Sequence, residues 1–314
     1  MDERFCDVGD GITLCYETFG KPSDPTALLI MGLGTQMVAW HEDFCRQLAD
    51  RGFHVVRFDN RDIGRSTHLQ DAPPPTIRQL LLRSKGAAHY KLSDMAEDAA
   101  GLLRELDLSP AHVIGASMGG MIAQTLAARH PKRVRSLTSI MSNTGAITNG
   151  QPALRLYPFF LRRRPVGLDE YVAHFARMFA AIGSTGLPRD PEEIRELAGI
   201  SYERDRDAAG PGRQLAAIIA SGDRTRELRR ITAPTLVIHG TADPLVSPSG
   251  GRATAKAIKG AKLMTVEGMG HDMPRAIWSD LIAAVAENAA RAGGPPDRHP
   301  LPRASRAPLS GLSG

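Results

Sequence analysis

One serine in the first half of the chain lies in a setting typical of an enzyme nucleophile. Ser117 is the centre of the pentapeptide GASMG, which fits the pattern G-x-S-x-G and stands between an apolar run and a segment with helical character. A serine that attacks a carbonyl must project from a tight, strained turn between strand and helix, and glycines beside it avoid clashes there. The pattern therefore predicts that Ser117 is a nucleophile and that Gly115 and Gly119 form its elbow. A phosphate loop is not predicted, because no Lys-Ser or Lys-Thr pair follows the glycines.

Two further residues are predicted to activate this serine, because a hydroxyl is a weak nucleophile without a base that takes its proton. His271, in the stretch GMGHD after the last predicted strand, is the predicted base, since its glycine neighbours let the imidazole reach over a sheet edge. The competing candidate is His239, which ends a predicted strand near the same edge. Asp243, in the turn GTADP, is predicted to orient the imidazole and stabilise its charged form, whereas Asp272 is expected to point elsewhere.

Backbone donors are also required, because negative charge develops on the carbonyl oxygen during acyl transfer. One predicted donor is the N–H of Met118, the residue after the nucleophile, and the other is the N–H of Leu33 in the loop MGLG after the first parallel strand. Each would contribute on the order of 3 kcal/mol to transition-state stabilisation. This chemistry requires neither a metal nor an organic cofactor.

The elements that must position these residues follow from the alternation of short apolar runs with helical patterns, which predicts a mostly parallel sheet with crossover helices. The runs are nearly all apolar, as strands buried on both faces should be. Predicted strands span 27–31, 54–58, 111–114, 134–141, 235–239 and 262–266, after an antiparallel hairpin of 4–8 and 13–18. Predicted helices span 42–51, a segment that begins after Ser93 as its N-cap and ends near 106, and a segment from just after Ser117 to 130.

The alternation breaks in the middle of the chain, where several helical patterns follow one another without a strand between them. The clearest are 169–182, 191–198 and 213–220. We therefore predict a core of residues 1–143 and 231–291 and a helical cap or lid of residues 144–230. Residues 292–314 are rich in proline and glycine, and we expect a disordered tail there.

Composition limits the classes of protein and partner. The chain has 314 residues, of which 42% are hydrophobic and 23% charged, as is ordinary for a globular protein. At this length its core needs no disulfide or structural metal to be stable. The cysteines Cys6, Cys15 and Cys45 show no C-x-x-C spacing, and we expect free thiols in a reducing cytosol. The first residues show no secretory signal, and the longest nearly apolar run, 27–34, is too short to span a membrane. These features predict a cytoplasmic protein.

The net charge of +5 does not by itself predict a nucleic-acid partner. Aromatic residues make up only 5% of the chain, and no basic run is interleaved with stacking aromatics. We attribute the charge to solubility and expect no nucleic acid as partner. The oligomeric state is left open by the sequence, with a homodimer as one option.

With these residues assembled, the chain resembles the α/β-hydrolase superfamily from about residue 8 to residue 290. The stretches MGLG at 31–34, RFDNRDIGRST at 57–67 and GMGH at 268–271 are similar to the esterase branch that includes the aclacinomycin methylesterases, which demethylate a methyl ester on an anthracycline polyketide. The chain order of serine, aspartate and histidine is the order expected for that fold. Many relatives begin the donor loop with His-Gly, where this chain has Met-Gly. We expect the stretch 59–66 to be structural.

The resemblance implies a carboxylesterase-like serine hydrolase that cleaves a small-molecule ester through an acyl-enzyme. Other activities share the same residues: a cofactor-free haloperoxidase or perhydrolase, an acyltransferase, or a non-catalytic protein of this fold that binds a small ligand. Residues of the predicted cap either line an apolar pocket or form the core of the cap itself: Phe159, Phe160, Tyr171, Phe175, Met178 and Phe179. The run Arg162–Arg164 either meets an anionic substrate or is a solvated surface.

Overall fold

A single mixed sheet forms the centre of the computed structural model, which describes residues 2–157, 165 and 167–293. Within these residues the sheet has eight strands in the order β1-β2-β4-β3-β5-β6-β7-β8. The strands are β1 Arg4–Gly9, β2 Ile12–Phe19, β3 Thr26–Ile30, β4 His54–Phe58, β5 Ala111–Ala116, β6 Val134–Ile140, β7 Thr235–Gly240 and β8 Lys262–Val266. β1 and β2 form the predicted antiparallel hairpin, β2 is antiparallel to β4, and all later pairs are parallel. The mostly parallel sheet predicted from the sequence is confirmed.

Helices cover both faces of this sheet, because crossover connections between parallel strands place a helix on one face or the other. The described helices are α1 Glu42–Asp50, α2 Ile77–Leu81, α3 Leu92–Glu105, α4 Met118–Arg129, α5 Leu168–Ile182, α6 Pro191–Arg204, α7 Gly210–Ser221, α8 Thr225–Leu228, α9 Ser249–Ala257 and α10 Trp278–Ala290. Short 3₁₀ turns lie at Met37–Ala39, Lys85–Ala87, Leu154–Leu156 and Arg275–Ile277. One buried cluster joins α3 and α4 to the sheet, and a second joins α1 and α10 to its other face.

Two details of the predicted elements are wrong. The helix expected to begin after Ser93 begins at Leu92 with Lys91 as its N-cap residue, because Asp94 accepts a hydrogen bond from the Lys91 N–H at 2.7 Å. Strand β8 is not buried on both faces. It forms the edge of the sheet with β7 as its neighbour, and Leu263 on it is 40% exposed.

The chain between β6 and β7 contains helices α5 to α8 and no strand among its described residues. It packs directly on the rest of the molecule: Ala217 of α7 and Leu228 of α8 belong to the same buried cluster as strands β3 and β5. The division into a core and a cap of residues 144–230 remains a prediction. The predicted tail lies outside the described residues beyond Gly293.

The three cysteines are free thiols, as expected, and all are buried. Among the helices of the described residues, none is both long and apolar enough to cross a membrane.

Candidate active site

The turn between β5 and α4 holds Ser117 in a strained conformation. Its φ of +55° and ψ of −119° lie outside the regions that ordinary residues favour. A Cβ on Gly115 would collide with the carbonyl of Gly119, and a Cβ on Gly119 would collide with the carbonyl of Ile30. The turn therefore requires both glycines of the predicted elbow, and it projects a half-buried hydroxyl at the carboxyl end of the sheet.

Three distant parts of the chain meet at this hydroxyl. Asp243 follows β7 and His271 follows β8, so both lie at the same edge of the sheet as Ser117 after β5. The Nδ1 of His271 is 2.8 Å from Oδ2 of Asp243, and its Nε2 is 3.0 Å from Oγ of Ser117. The structure thus joins the three predicted residues in one hydrogen-bonded series. With the ring N–H directed to the carboxylate, Nε2 is free to accept the serine proton.

The carboxylate of Asp243 is buried but well supplied with donors. Its Oδ1 accepts hydrogen bonds from the N–H groups of Leu245 and Val246, each at 2.9 Å. Burial by itself raises the pKa of Asp243, yet the charge of His271 and hydrogen bonds from His239, His271 and Val246 together hold this pKa well below its ordinary value. The group is therefore an anion at neutral pH and can stabilise an imidazolium beside it.

The competing histidine has a different place. His239 is buried, its Nε2 lies 2.7 Å from the carbonyl oxygen of Val246, and the same nitrogen is 3.5 Å from Oδ2 of Asp243. No hydrogen bond joins it to Ser117 in the described residues. His239 therefore supports the loop that carries the aspartate, and the geometry favours His271 as the base.

The loop MGLG borders Ser117, as expected for the predicted oxyanion-binding loop. A Cβ on Gly32 would lie 3.1 Å from Cβ of Ser117 and 3.6 Å from its Oγ. The N–H of Gly34 donates a hydrogen bond to the side chain of Gln214, and the N–H of Thr35 donates one to the carbonyl of Gly32. The N–H of Leu33 has no such partner among the described residues. Leu33 therefore follows a residue in contact with Ser117 and stays the predicted donor.

The second predicted donor belongs to a helix start. Met118 is the first residue of α4, so its N–H has no carbonyl one turn earlier in the helix. An N–H in this position points out of the helix end, toward the side at which Ser117 lies. The positive end of the helix dipole favours negative charge at the same place.

The histidine loop is attached to the segment that follows α5. The N–H of His271 donates to the carbonyl of Ile182 at 2.8 Å, and that of Gly270 donates to Oγ of Ser184 at 2.9 Å. Asp272 accepts hydrogen bonds from both the N–H and the hydroxyl of Ser184, so it points away from the imidazole, as expected. No motif in the sequence identified Ser184, because its role depends on contacts between residues more than 80 positions apart.

The stretch 59–66 is structural, as the sequence predicted. Asp59 is fully buried, and its carboxylate accepts hydrogen bonds from the N–H of Met37 at 2.7 Å and of Arg65 at 3.0 Å. Arg204 of α6 forms an ion pair with the same carboxylate at 2.7 Å. The aspartate therefore ties three segments together and takes no part in the hydrogen-bonded series at Ser117.

The aromatic residues of the inserted helices pack on one another. Tyr171 and Phe175 are buried, the rings of Phe175 and Phe179 stack at 4.6 Å, and Tyr171 contacts Tyr202 of α6 at 5.4 Å between centroids. Met178 packs against the same cluster. The sequence allowed these residues either to line an apolar pocket or to form a core among the inserted helices. The contacts support a core between α5 and α6. Phe159, Phe160 and the run Arg162–Arg164 lie outside the described residues.

One group of side chains has the spacing of a cation site. Single ligand atoms of Asp62, His68 and Asp207 lie within 4.8 Å of one another. Arg213 already donates to Asp62 at 2.7 Å and to Asp207 at 2.8 Å. Both ring nitrogens of His68 also have partners, Asp207 and the carbonyl of Gly64. The guanidinium neutralises the carboxylates, so this set of residues does not fit a metal ion.

Comparisons with known proteins find similarity over most of the chain. Residues 25–184 match the family described as alpha/beta hydrolase fold, and residues 218–277 match the family described as TAP-like protein. Rhodomycin D methylesterase DauP of Streptomyces sp. (strain C5) is 30% identical over 297 residues, which cover 88% of this chain and 94% of that protein. Rhodomycin D methylesterase DnrP of Streptomyces peucetius is 29% identical over 299 residues, covering 88% and 95%. The enol-lactonase of Burkholderia xenovorans LB400 shares the fold, with a TM-score of 0.71 at 24% identity over 91% of this chain and 100% of that chain.

Proposed function

Because the chain belongs to the α/β-hydrolase fold family, we propose that it is a carboxylic ester hydrolase with Ser117 as nucleophile, His271 as base and Asp243 as the orienting acid. One observation carries the proposal: the imidazole of His271 lies between the other two, 2.8 Å from the carboxylate and 3.0 Å from the hydroxyl. Nucleophile, base and orienting group within hydrogen-bond reach are what acyl transfer at a serine requires. The similarity to two methylesterases supports an ester as the substrate.

The reaction proceeds in two halves. The Nε2 of His271 removes the proton of Ser117 as the hydroxyl oxygen attacks the ester carbonyl, and the N–H groups of Leu33 and Met118 bind the oxyanion. His271, now an imidazolium stabilised by Asp243, protonates the leaving alcohol, and an acyl-enzyme remains. Water then attacks the acyl-enzyme with His271 again as base, which releases the acid and restores the serine. No step requires a metal or an organic cofactor.

We further propose a methyl ester of a polyketide carboxylic acid as the substrate class. The alignments with the two methylesterases each cover 88% of this chain. A small alcohol such as methanol leaves easily by diffusion, so specificity would reside mainly on the acyl side. A panel of esters graded in acyl size, with an anthracycline methyl ester included, tests this class by the ratio of kcat/KM values.

The experiment for the activity compares the parent with Ser117→Ala on a p-nitrophenyl ester. We expect kcat to fall by about 10⁶ in Ser117→Ala, and we expect a fluorophosphonate probe to label the parent at Ser117 alone. A variant that retains the parent rate would refute the proposal. Absence of labelling would favour a ligand-binding protein. Peroxide-dependent bromination faster than ester turnover would favour a perhydrolase, and transfer to an added alcohol faster than hydrolysis would favour an acyltransferase.

A further inference from the structure

The loop that carries the proposed donor Leu33 has two hydrogen bonds of its own, both from Thr35: its N–H donates to the carbonyl oxygen of Gly32 at 3.3 Å and its hydroxyl donates to that of Leu33 at 3.1 Å. Glycines precede and follow this residue, and Gly34 has a φ of +63°. The Gly32 carbonyl belongs to the same peptide as the Leu33 N–H, but its hydrogen bond is long, and the glycines on either side leave this peptide more conformational freedom than other residues would. An N–H contributes to oxyanion binding only if its direction is set before the reaction. Groups outside the loop must therefore strengthen the orientation that Thr35 provides.

Two buried side chains hold the loop, one on each side of Leu33. Before it, Nδ2 of Asn60 donates to the carbonyl oxygen of Met31 at 3.0 Å. After it, the N–H of Gly34 donates to Oε1 of Gln214 at 2.9 Å. The donor peptide thus lies between a fixed carbonyl and a fixed N–H.

Both ends of the Gln214 amide are engaged. The side chain is fully buried, and its Nε2 donates to the carbonyl oxygen of Arg61 at 2.8 Å. Arg61 is itself fixed by two hydrogen bonds to Asp98, at 2.6 and 2.5 Å. A rotation of the amide would bring its NH₂ group against the Gly34 N–H and its oxygen against a carbonyl oxygen, so both contacts would become repulsive. The amide therefore has one favourable orientation, with its acceptor toward the loop.

We infer that Gln214 is a positioning residue for ester hydrolysis, which holds Gly34 so that the N–H of Leu33 faces the oxyanion. This inference rests on the proposed function. Gln214 belongs to α7, in the chain inserted between β6 and β7, whereas the loop follows β3 of the sheet. Pro211 of the same helix packs on the loop as well, since a Cβ on Gly34 would lie 3.2 Å from its Cβ. The inserted helix thus contributes to the rate of the chemical step without contacting the reacting atoms.

The test removes both hydrogen bonds at nearly constant volume with Gln214→Met. We expect kcat on p-nitrophenyl acetate to fall by about tenfold or more, with KM changed by less than about threefold, because the lost interaction acts in the transition state. Binding of phenylboronic acid should weaken by a similar factor, because its tetrahedral adduct with Ser117 directs an oxygen at the same donors. A residue with a merely structural role would not change these two quantities together.

A matched control replaces another buried amide, Asn288, with methionine. Its Nδ2 donates to the carbonyl of Leu137 at 2.9 Å and lies near Pro234, at the end of β7 away from Asp243. Asn288→Met should lower Tm and leave kcat and boronate affinity unchanged. If Gln214→Met behaves like this control, the inference is overturned while the proposed function stands. If the parent itself neither hydrolyses esters nor reacts with a fluorophosphonate, the proposed function fails, and the inference fails with it.

A second variant keeps the experiment decisive should Gln214→Met fold poorly. In Gln214→Glu the protonated carboxyl can accept from Gly34 and donate to Arg61, as the amide does, whereas the carboxylate repels the Arg61 carbonyl oxygen. The kcat of this variant divided by that of the parent should therefore rise as the pH is lowered. A ratio that is independent of pH would contradict the inference.

Discussion

Replacement of Asp243 by asparagine tests the proposed triad at a residue whose hydrogen-bond partners allow only one orientation of the new side chain. One carboxylate oxygen faces the N–H groups of Leu245 and Val246, and the other faces Nδ1 of His271. An amide has one acceptor and one donor end. Its NH₂ group cannot face two N–H groups, so it must face the imidazole. Nδ1 then has to accept a hydrogen bond, and the ring proton moves to Nε2.

The consequence for catalysis is large, because a proton on Nε2 prevents His271 from accepting the proton of Ser117. We expect Asp243→Asn to lower kcat by about 10⁴, which corresponds to about 5.4 kcal/mol of transition-state stabilisation. The charge that holds the imidazolium is lost in the same change. KM should change little, because the carboxylate lies behind the imidazole.

The assay measures kcat and KM on a p-nitrophenyl ester at pH 8, with Tm recorded for each variant. The neighbouring Asp272 provides the control. It is also a buried carboxylate, but it accepts its hydrogen bonds from Ser184. Asp272→Asn should reduce kcat by less than about tenfold, since the tautomer of His271 is unaffected. A kcat of Asp243→Asn within tenfold of the parent would refute the reasoning.

Three further predictions concern stability and reactivity. Gly119→Ala should lower the free energy of unfolding by about 3 kcal/mol or more, because its Cβ meets the carbonyl of Ile30. Gly199→Ala is the control and should not lower this free energy, because the space around its Cβ is open. Urea titration measures the free energy of unfolding of both variants. Burial raises the pKa of the Cys45 thiol to about 12, so this thiol should react with a thiol reagent only when the protein unfolds; rapid reaction in the native state would contradict this. The pKa of Asp243 is depressed from its ordinary 3.8, so its charge stabilises the fold above that value and this stabilisation is lost as the pH falls below it. Between about pH 5 and about pH 3 the parent should lose more free energy of unfolding than Asp243→Asn, and an equal loss would count against a depressed pKa.

The residues that form the hydrogen-bonded series were predictable because each stands next to a strong local signal. Ser117 lies in a glycine-flanked turn directly after β5, and the other two follow the last two strands. Parallel strands end at the same edge of a sheet, so the order of elements alone brings these side chains near one another. The strand positions were predictable for a related reason, since a strand buried on both faces is an apolar run of limited length.

The supporting residues were not predictable, because their partners are far away in the sequence. Gln214 and Ser184 carry no motif, and their contacts form only when α7 and the segment after α5 have packed on the rest of the chain. β8 lies at the sheet edge, with Leu263 exposed, because no further strand pairs with it in the described sheet. The residues of β8 itself do not reveal this position. The aromatic residues of α5 had two interpretations for the same reason: an apolar helix face does not reveal whether it meets another helix or a ligand.

The loops that carry Leu33 and His271 are both attached to the chain inserted between β6 and β7, which has a consequence for engineering. Substrate preference in proteins of this kind invites the exchange of inserted segments between relatives. Here such a graft would remove the amide that fastens Gly34 and the hydroxyl that fastens Gly270. A chimera would therefore acquire a new binding surface together with a loosened proposed active site, unless a glutamine at 214 and a serine at 184 were carried over from the recipient.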